Sequence, residues 1–226
     1  MKNAMGLAIT LATLAAIPYA ALADKDSPQV SPDGLQLVDK DRRGEIYADP
    51  DVEWSVYDKI KLDPATVAFR KNWQRDQNRS QPFKIQTEDM ERIKSDMSKL
   101  FDEVFTEELS ENGGFVITDE SGDDVMRISP HIVDLDVYAP DVKSAPRVDS
   151  YTQSAGRMTL QLEIYDSVTG DLLAKASDRK EAPRRGYMQW TTSVTNRAEA
   201  RRMLQGWAKE LRTRLEEASK RSPGDS

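Results

Sequence analysis

Met158-Thr159-Leu160-Gln161-Leu162-Glu163-Ile164 alternates apolar and polar side chains from end to end. Successive strand residues point to opposite faces, so this period puts the apolar set on one side and the polar set on the other, as in a half-buried strand. The turn-forming run Asp166-Ser167-Val168-Thr169-Gly170-Asp171 follows, and residues 172–177 return as a hairpin partner. Upstream, a second strand starts at Val125. Met126, Ile128 and Ile132 share one phase and Val133, Leu135 and Val137 the other. That slip predicts a bulge or bend near Pro130–Val133.

Working further out, Phe115-Val116-Ile117-Thr118 reads as a compact strand, closed by a turn over residues 119–123. Residues 56–62 alternate well enough for another strand apart from Asp58, with Pro64 breaking it and Val67 and Phe69 resuming the apolar phase. Residues 70–86 are polar and basic and read as a long loop. Two helices complete the pattern. The first spans residues 88–110, with Thr87 as N-cap and Met90, Ile93, Met97, Leu100, Phe101 and Val104 on one face. Asn112-Gly113-Gly114 stops it, because glycine enters the left-handed region without a Cβ clash. The last helix begins at Asn196, with Glu199 placed for a capping box and an apolar stripe through Ala200, Met203, Leu204, Trp207, Leu211 and Leu215.

The fold class expected is α+β: a two-layer domain with a mostly antiparallel five-stranded sheet, two amphipathic helices on one face, and element order β-α-β-β-β-β-α. This domain would occupy residues 54–219. Residues 24–53 read as a flexible or edge lead-in, rich in turn formers, and residues 220–226 as a frayed tail.

The amino terminus has a different character. Lys2 precedes the apolar run Gly6-Leu7-Ala8-Ile9-Thr10-Leu11-Ala12-Thr13-Leu14-Ala15-Ala16-Ile17, then Pro18 and the small residues Ala21-Leu22-Ala23. This is the three-part pattern of a cleavable export signal over residues 1–23. Pro18 interrupts the run short of the roughly 20 apolar residues that a membrane span needs. Cleavage between Ala23 and Asp24 would leave a periplasmic or otherwise exported chain, with no transmembrane segment. Loss of Lys2 then takes the net charge from −7 to −8. An acidic chain lacks the surplus cations that phosphate backbones require, so nucleic acid is not an expected partner.

Several fragments together resemble the bacterial family catalogued as domain of unknown function 3313. They are Tyr57-Asp58-Lys59-Ile60, Leu62-Asp63-Pro64, Val67-Ala68-Phe69, Glu111-Asn112-Gly113-Gly114, Asp124-Val125-Met126-Arg127-Ile128, Leu162-Glu163-Ile164-Tyr165-Asp166-Ser167-Val168-Thr169-Gly170 and Gly206-Trp207-Ala208, in order over residues 34–216. The resemblance implies an envelope protein of unassigned function, usually anchored as a lipoprotein. This chain has no cysteine and so no residue to carry the lipid. The element order is also similar to that of the amino-terminal domain of the translocation protein TolB, an analogy of fold only.

Chemistry-bearing patterns are sparse. The absence of cysteine removes disulfides, thiolate metal ligands and thiol nucleophiles. His131 is the one histidine, expected on the polar side of a strand beside Arg127 and Ser129, where it reads as a surface residue rather than a base. Asp119-Glu120-Ser121-Gly122-Asp123-Asp124 lacks the alternate-residue spacing and the closing glutamate of a helix-loop-helix calcium site, and reads as a solvated turn. Asp134 and Asp136 are expected to share the solvent face of a strand. No phosphate-cradling loop or dinucleotide fingerprint occurs. The expectation is therefore no catalytic residue, no cofactor and no metal.

What remains is a pair of basic-aromatic segments. Trp73, Arg75 and Arg79 stand in the first, and Arg184, Arg185, Tyr187 and Trp190 in the second. Tryptophan, tyrosine and arginine are the side chains that most often anchor interfaces, so these seven are the candidate partner-binding residues. The reading is a non-enzymatic periplasmic interaction module that recognises an envelope protein or an anionic envelope polymer. The competing reading is an envelope hydrolase or small-ligand protein with a carboxylate site. A deep pocket with converging Asp, Glu and His would favour the enzyme, and a flat aromatic-basic face the module.

Overall fold

Met158, Leu160, Leu162 and Ile164 are all buried, at 7% exposure or less, while Thr159, Gln161, Glu163 and Tyr165 face the other way. The alternation thus orients the sheet as expected. A computed structural model describes residues 29–80, 84–137, 151–152, 156–182, 189–190 and 193–220. In chain order the elements are β1 (Gln36–Lys40), β2 (Gly44–Ala48), β3 (Lys59–Leu62), β4 (Thr66–Phe69), α1 (Trp73–Ser80), α2 (Thr87–Glu107), β5 (Val116–Ile117), β6 (Val125–Val137), β7 (Tyr151–Thr152), β8 (Gly156–Asp166), β9 (Leu172–Glu181), β10 (Gln189–Trp190) and α3 (Ser193–Ala218).

The class is α+β, but the sheet is larger than the five strands expected. It has eight, in the order β1-β2-β9-β8-β6-β3-β5, and β4 pairs with β6 along the same edge beyond β3. From β1 through β2, β9 and β8 to β6 each adjacent pair is antiparallel, whereas β3 and β4 lie parallel to β6, and β5 parallel to β3. β7 and β10 form a separate antiparallel pair. Parallel pairing of β3 with β5 requires a crossover between them, and the chain supplies α1 and α2 there.

Three sequence expectations fail for identifiable reasons. Regular structure begins at Gln36 rather than near Trp54, because Asp41 builds a tight turn. Its Oδ1 accepts from the Arg43 and Gly44 amides at 2.7 and 2.9 Å, and the β1–β2 hairpin closes over it. These strands have no fully buried residue, so no clean alternation announced them. Residues 70–86 are not a plain loop either, since Trp73–Ser80 is a helix. It has no apolar stripe; its one buried aromatic is Trp73, which is 1% exposed, and Gln74 and Asn78 tie it to the Ile85 backbone. The Trp73 ring stacks on Phe69 at 4.0 Å, and its indole N–H donates to the Val137 carbonyl at 2.8 Å. Finally, α3 starts at Ser193, three residues before the expected Asn196, and Glu199 is a buried residue paired with Arg202 at 2.7 Å instead of a cap.

Other features follow the sequence more closely. α2 begins at Thr87 behind a Gln86 cap, with the Asp89 carboxylate accepting from the Gln86 amide at 3.1 Å. It widens into a π-turn over Glu108–Asn112 and ends at Gly114, whose φ of 72° is the left-handed geometry that glycine supplies. The bulge in β6 falls between Val133 and Asp136, slightly later than expected, with Asp134 at φ 52°. Its effect is to separate the two carboxylates. Asp134 is exposed, but Asp136 turns to Arg70 at 2.9 Å and Arg157 at 2.9 Å.

Phe101, Phe105 and Leu109 from the second helix, with Leu204, Trp207 and Leu215 from α3, close over Ile60, Ile128, Ile132 and the β8 apolar set. Two ionic clasps bind the helices. Glu103 meets Arg201 at 2.5 Å and Arg197 at 3.4 Å, and Glu108 meets Arg212 at 2.8 Å.

Candidate functional site

Packing in the helix layer is uneven, and the unevenness makes a groove. At the β1–β2 end of the sheet three of these four paired positions are alanines: Ala48 sits opposite Ala174, and Ile46 opposite Ala176. α3 passes above them with Trp207, Leu211 and Leu215, one turn apart from each other. Alanines beneath large residues leave space, here a groove of about 400 Å³. Its other wall is Gln36, Leu37 and Val38 of β1 together with Pro50, Val52 and Trp54. Asp49, Glu210 and Glu217 add carboxylates to the lining. The two cations there are already paired, Arg214 with Asp39 and Lys175 with Asp33. Arg214 also lies 3.8 Å from Glu210, so the lining is apolar inside, with four carboxylates, Asp178 included, against two cations at its polar positions. Ligand sites are commonly concave and mostly apolar with a few polar groups.

Trp207 is the best-defined member. It is 4% exposed, and its indole N–H donates to Asp178 at 2.7 Å. The Lys180 ammonium lies 5.0 Å from its ring centroid, a cation–π distance. Burial of this amine pushes its pKa below the ordinary lysine value, against the opposing pull of Asp178.

The opposite sheet face is polar. There the His131 Nδ1 lies 2.7 Å from Thr66 Oγ1, and its Nε2 is 3.8 Å from Glu163 Oε2. The Tyr165 hydroxyl donates to that same Glu163 oxygen at 2.7 Å, and burial followed by this bond pushes the phenol up to about 12. Arg127 stacks over the Tyr165 ring and pairs with Asp63 at 2.8 Å. These groups lie along a half-exposed sheet surface, outside the groove. The acidic turn is tied elsewhere: Asp124 pairs with Lys59 at 2.5 Å, and this hydrogen bond holds its carboxyl below the usual range. Among the described residues no cluster of three or more His, Asp or Glu is disposed to hold a metal, and no helix is long and apolar enough to cross a membrane.

The candidate partner-binding residues divide sharply. Trp73 is buried and therefore no surface anchor, a correction whose cause is the Phe69 stack and the Val137 hydrogen bond. Arg75 and Arg79 are exposed on α1, and Arg75 lies 3.4 Å from Asp76. Arg184, Arg185 and Tyr187 lie outside the described residues, and Trp190 is described only as a backbone position in β10. The groove had gone unread. Its sequence signal was the alternation of Ala174 and Ala176 on a strand facing an amphipathic helix, which looks like ordinary filling until the helix position is known.

A family model described as protein of unknown function (DUF3313) matches residues 25–211. Among curated proteins none matches. Solved structures give distant likenesses. A PelC dodecamer from Paraburkholderia phytofirmans is 11% identical, covering 75% of this chain and 97% of that one, with TM-score 0.38. A PDZ domain protein from Parabacteroides distasonis is 10% identical over 73% of this chain and 35% of the other, with TM-score 0.36. A Xanthomonas campestris protein of family-model DUF330 is 14% identical over 72% and 83%, also with TM-score 0.36.

Proposed function

This chain belongs to the DUF3313 family, and from that premise we propose that it is a non-enzymatic binding module of the cell envelope. Its ligand is a protein segment that inserts an apolar side chain between α3 and the β1–β2 edge. The observation that carries this reading is the groove itself, about 400 Å³ with alanines on its floor and tryptophan and leucine on its wall. Burying one leucine-sized side chain there contributes about 1.5–3 kcal/mol. The charge of the lining selects among apolar ligands. Asp49 and Glu217, in a lining where carboxylates outnumber cations, repel fatty-acid carboxylates and anionic headgroups and attract lysine or arginine, so the favoured occupant is a peptide with basic residues flanking its apolar insert. The export signal read in residues 1–23 supports an envelope location.

Site-specific photo-crosslinking tests the proposal. A crosslinker at Val38, which is exposed and lines the groove, is expected to form one adduct in cells, mapping to an apolar segment flanked by Lys or Arg. The same crosslinker at Val168, exposed on the β8–β9 turn, is the control. Ala176→Leu fills the groove floor and is expected to abolish the Val38 adduct while leaving thermal stability intact or higher. An adduct that survives Ala176→Leu, or that maps to an acidic segment, refutes the groove as the site.

A further inference from the structure

On the other flank of α3 the charge balance reverses. A recess of about 480 Å³ is lined by Arg43, Arg179, Lys180 and Arg202, with Glu181 and Glu199. Four cations and two carboxylates line it in a chain of net charge −7, and Asp41, outside the lining, pairs with Arg43 at 3.1 Å. Both carboxylates are already engaged, Glu199 with Arg202 at 2.7 Å. Lys180 differs from a surface lysine. Its stem lies under α3 where Gly206 leaves room, and a Cβ at that position would come within 2.9 Å of its Nζ. Its ammonium faces the Trp207 ring and has no carboxylate ion pair among the described residues. Asp178 and Glu210 act on it only through space, so the partly desolvated ammonium keeps the capacity to bind an anion in direct contact.

We propose that this recess, between the β1–β2 turn, the end of β9 and α3, is an oxyanion site that takes a phosphate or carboxylate group on Lys180, Arg43, Arg179 and Arg202. Arginine supplies planar two-pronged donors matched to such groups, and lysine a point charge. Arg43 is placed by the turn that Asp41 closes, and its carbonyl accepts the Arg179 amide at 3.1 Å, so the two guanidinium-bearing segments are tied to each other. The proposal does not rest on the apolar groove.

Thermal unfolding of the full exported chain tests it, with inorganic phosphate, succinate or sodium chloride titrated at constant ionic strength. The expected result is a saturable rise in Tm with phosphate or succinate, the more effective of the two naming the ligand class, and none with chloride. Lys180→Met keeps the apolar stem over Trp207 and removes the ammonium. It is expected to match or exceed the parent Tm without added anion and to lose the saturable rise. Arg43→Gln with Arg179→Gln changes two exposed or half-exposed side chains and is expected to raise the half-saturating concentration at least tenfold. Ala176→Leu is expected to leave the titration unchanged, which separates this site from the groove. A rise that chloride reproduces, no rise at all, or a rise that persists in Lys180→Met overturns the proposal.

Discussion

Trp207 links the helix layer to the sheet by three interactions at once: burial, a hydrogen bond to Asp178 and the Lys180 ammonium over its ring. Trp207→Ala is expected to cost about 3–5 kcal/mol, in the range of other buried aromatic truncations, read as a lowered denaturant midpoint. An unchanged midpoint would place the indole outside the core. Trp73→Ala is expected to be comparably damaging, since it removes the buried aromatic anchor of α1 and the indole donor to the Val137 carbonyl. The basic-aromatic segment made Trp73 look like a contact residue because composition alone does not say which way an aromatic turns. Arg75 and Arg79 remain on the surface, where a change to alanine is expected to leave the midpoint within about 0.5 kcal/mol of the parent. Asp166 sets a pH dependence. Its carboxyl is held below its ordinary value of 3.8, first by the Thr169 amide and then by the Val168 amide and the Tyr57 hydroxyl. A depressed acid stabilises the fold at pH above its unfolded value, and that contribution disappears as pH falls through the folded one. The Tm gap between the parent and Asp166→Asn is therefore expected to be full at neutral pH and to close only below about pH 3.8. A gap that closes at pH 6 would assign the effect to another group.

Among the elements, two glycines give opposite expectations. A Cβ at Gly44 would lie 1.8 Å from the Ser177 carbonyl oxygen, a backbone atom of the neighbouring strand. Gly44→Ala must therefore push β2 off β9, and strong destabilisation is expected. Gly206 sits within a long helix, and its would-be Cβ meets only the mobile end of Lys180 at 2.9 Å. Since glycine in a helix interior costs roughly 0.5–1 kcal/mol relative to alanine, Gly206→Ala is expected to raise stability by up to that amount. A matched pair of melting curves checks both, and similar losses in the two variants would mean that α3 packs closer to β9 than the Lys180 contact implies. The same contrast explains what was legible. β8, β6 and α2 declare themselves because each buries one regular face, and period follows from burial. β1 and β2 bury no residue completely, and α1 buries one aromatic, so what orders them is a turn carboxylate, the Trp73 anchor and side-chain bonds from Gln74 and Asn78 to the Ile85 backbone. None of these produces a repeat. The parallel pairing of β3 with β5 and β6 was equally silent, since two- and four-residue strands carry too few positions to show their direction.

At the scale of the whole molecule, the candidate sites arise from how layers fail to fill. The sequence presented α3's apolar stripe and β9's alanines separately, and only their superposition leaves a groove. The oxyanion recess likewise joins Arg43 to Arg179 and Arg202 across distances that no local motif spans. Both sites share the β1–β2 hairpin, which gives a final expectation. That hairpin is the sheet's outer edge, with no fully buried side chain and a cavity beneath it, whereas β8 and β6 are central and contribute the β-sheet core. Segments with few buried apolar contacts open locally well below the global unfolding free energy. Hydrogen exchange read by mass spectrometry is therefore expected to show residues 36–48 exchanging at least tenfold faster than residues 125–137 and 156–166. Ala176→Leu adds apolar contact under β2 and is expected to slow residues 36–48 selectively. If exchange in residues 36–48 already matches β8 in the parent, or if filling the groove slows all three segments alike, the hairpin is part of the global folding unit. Partner insertion beneath it would then require opening the whole sheet.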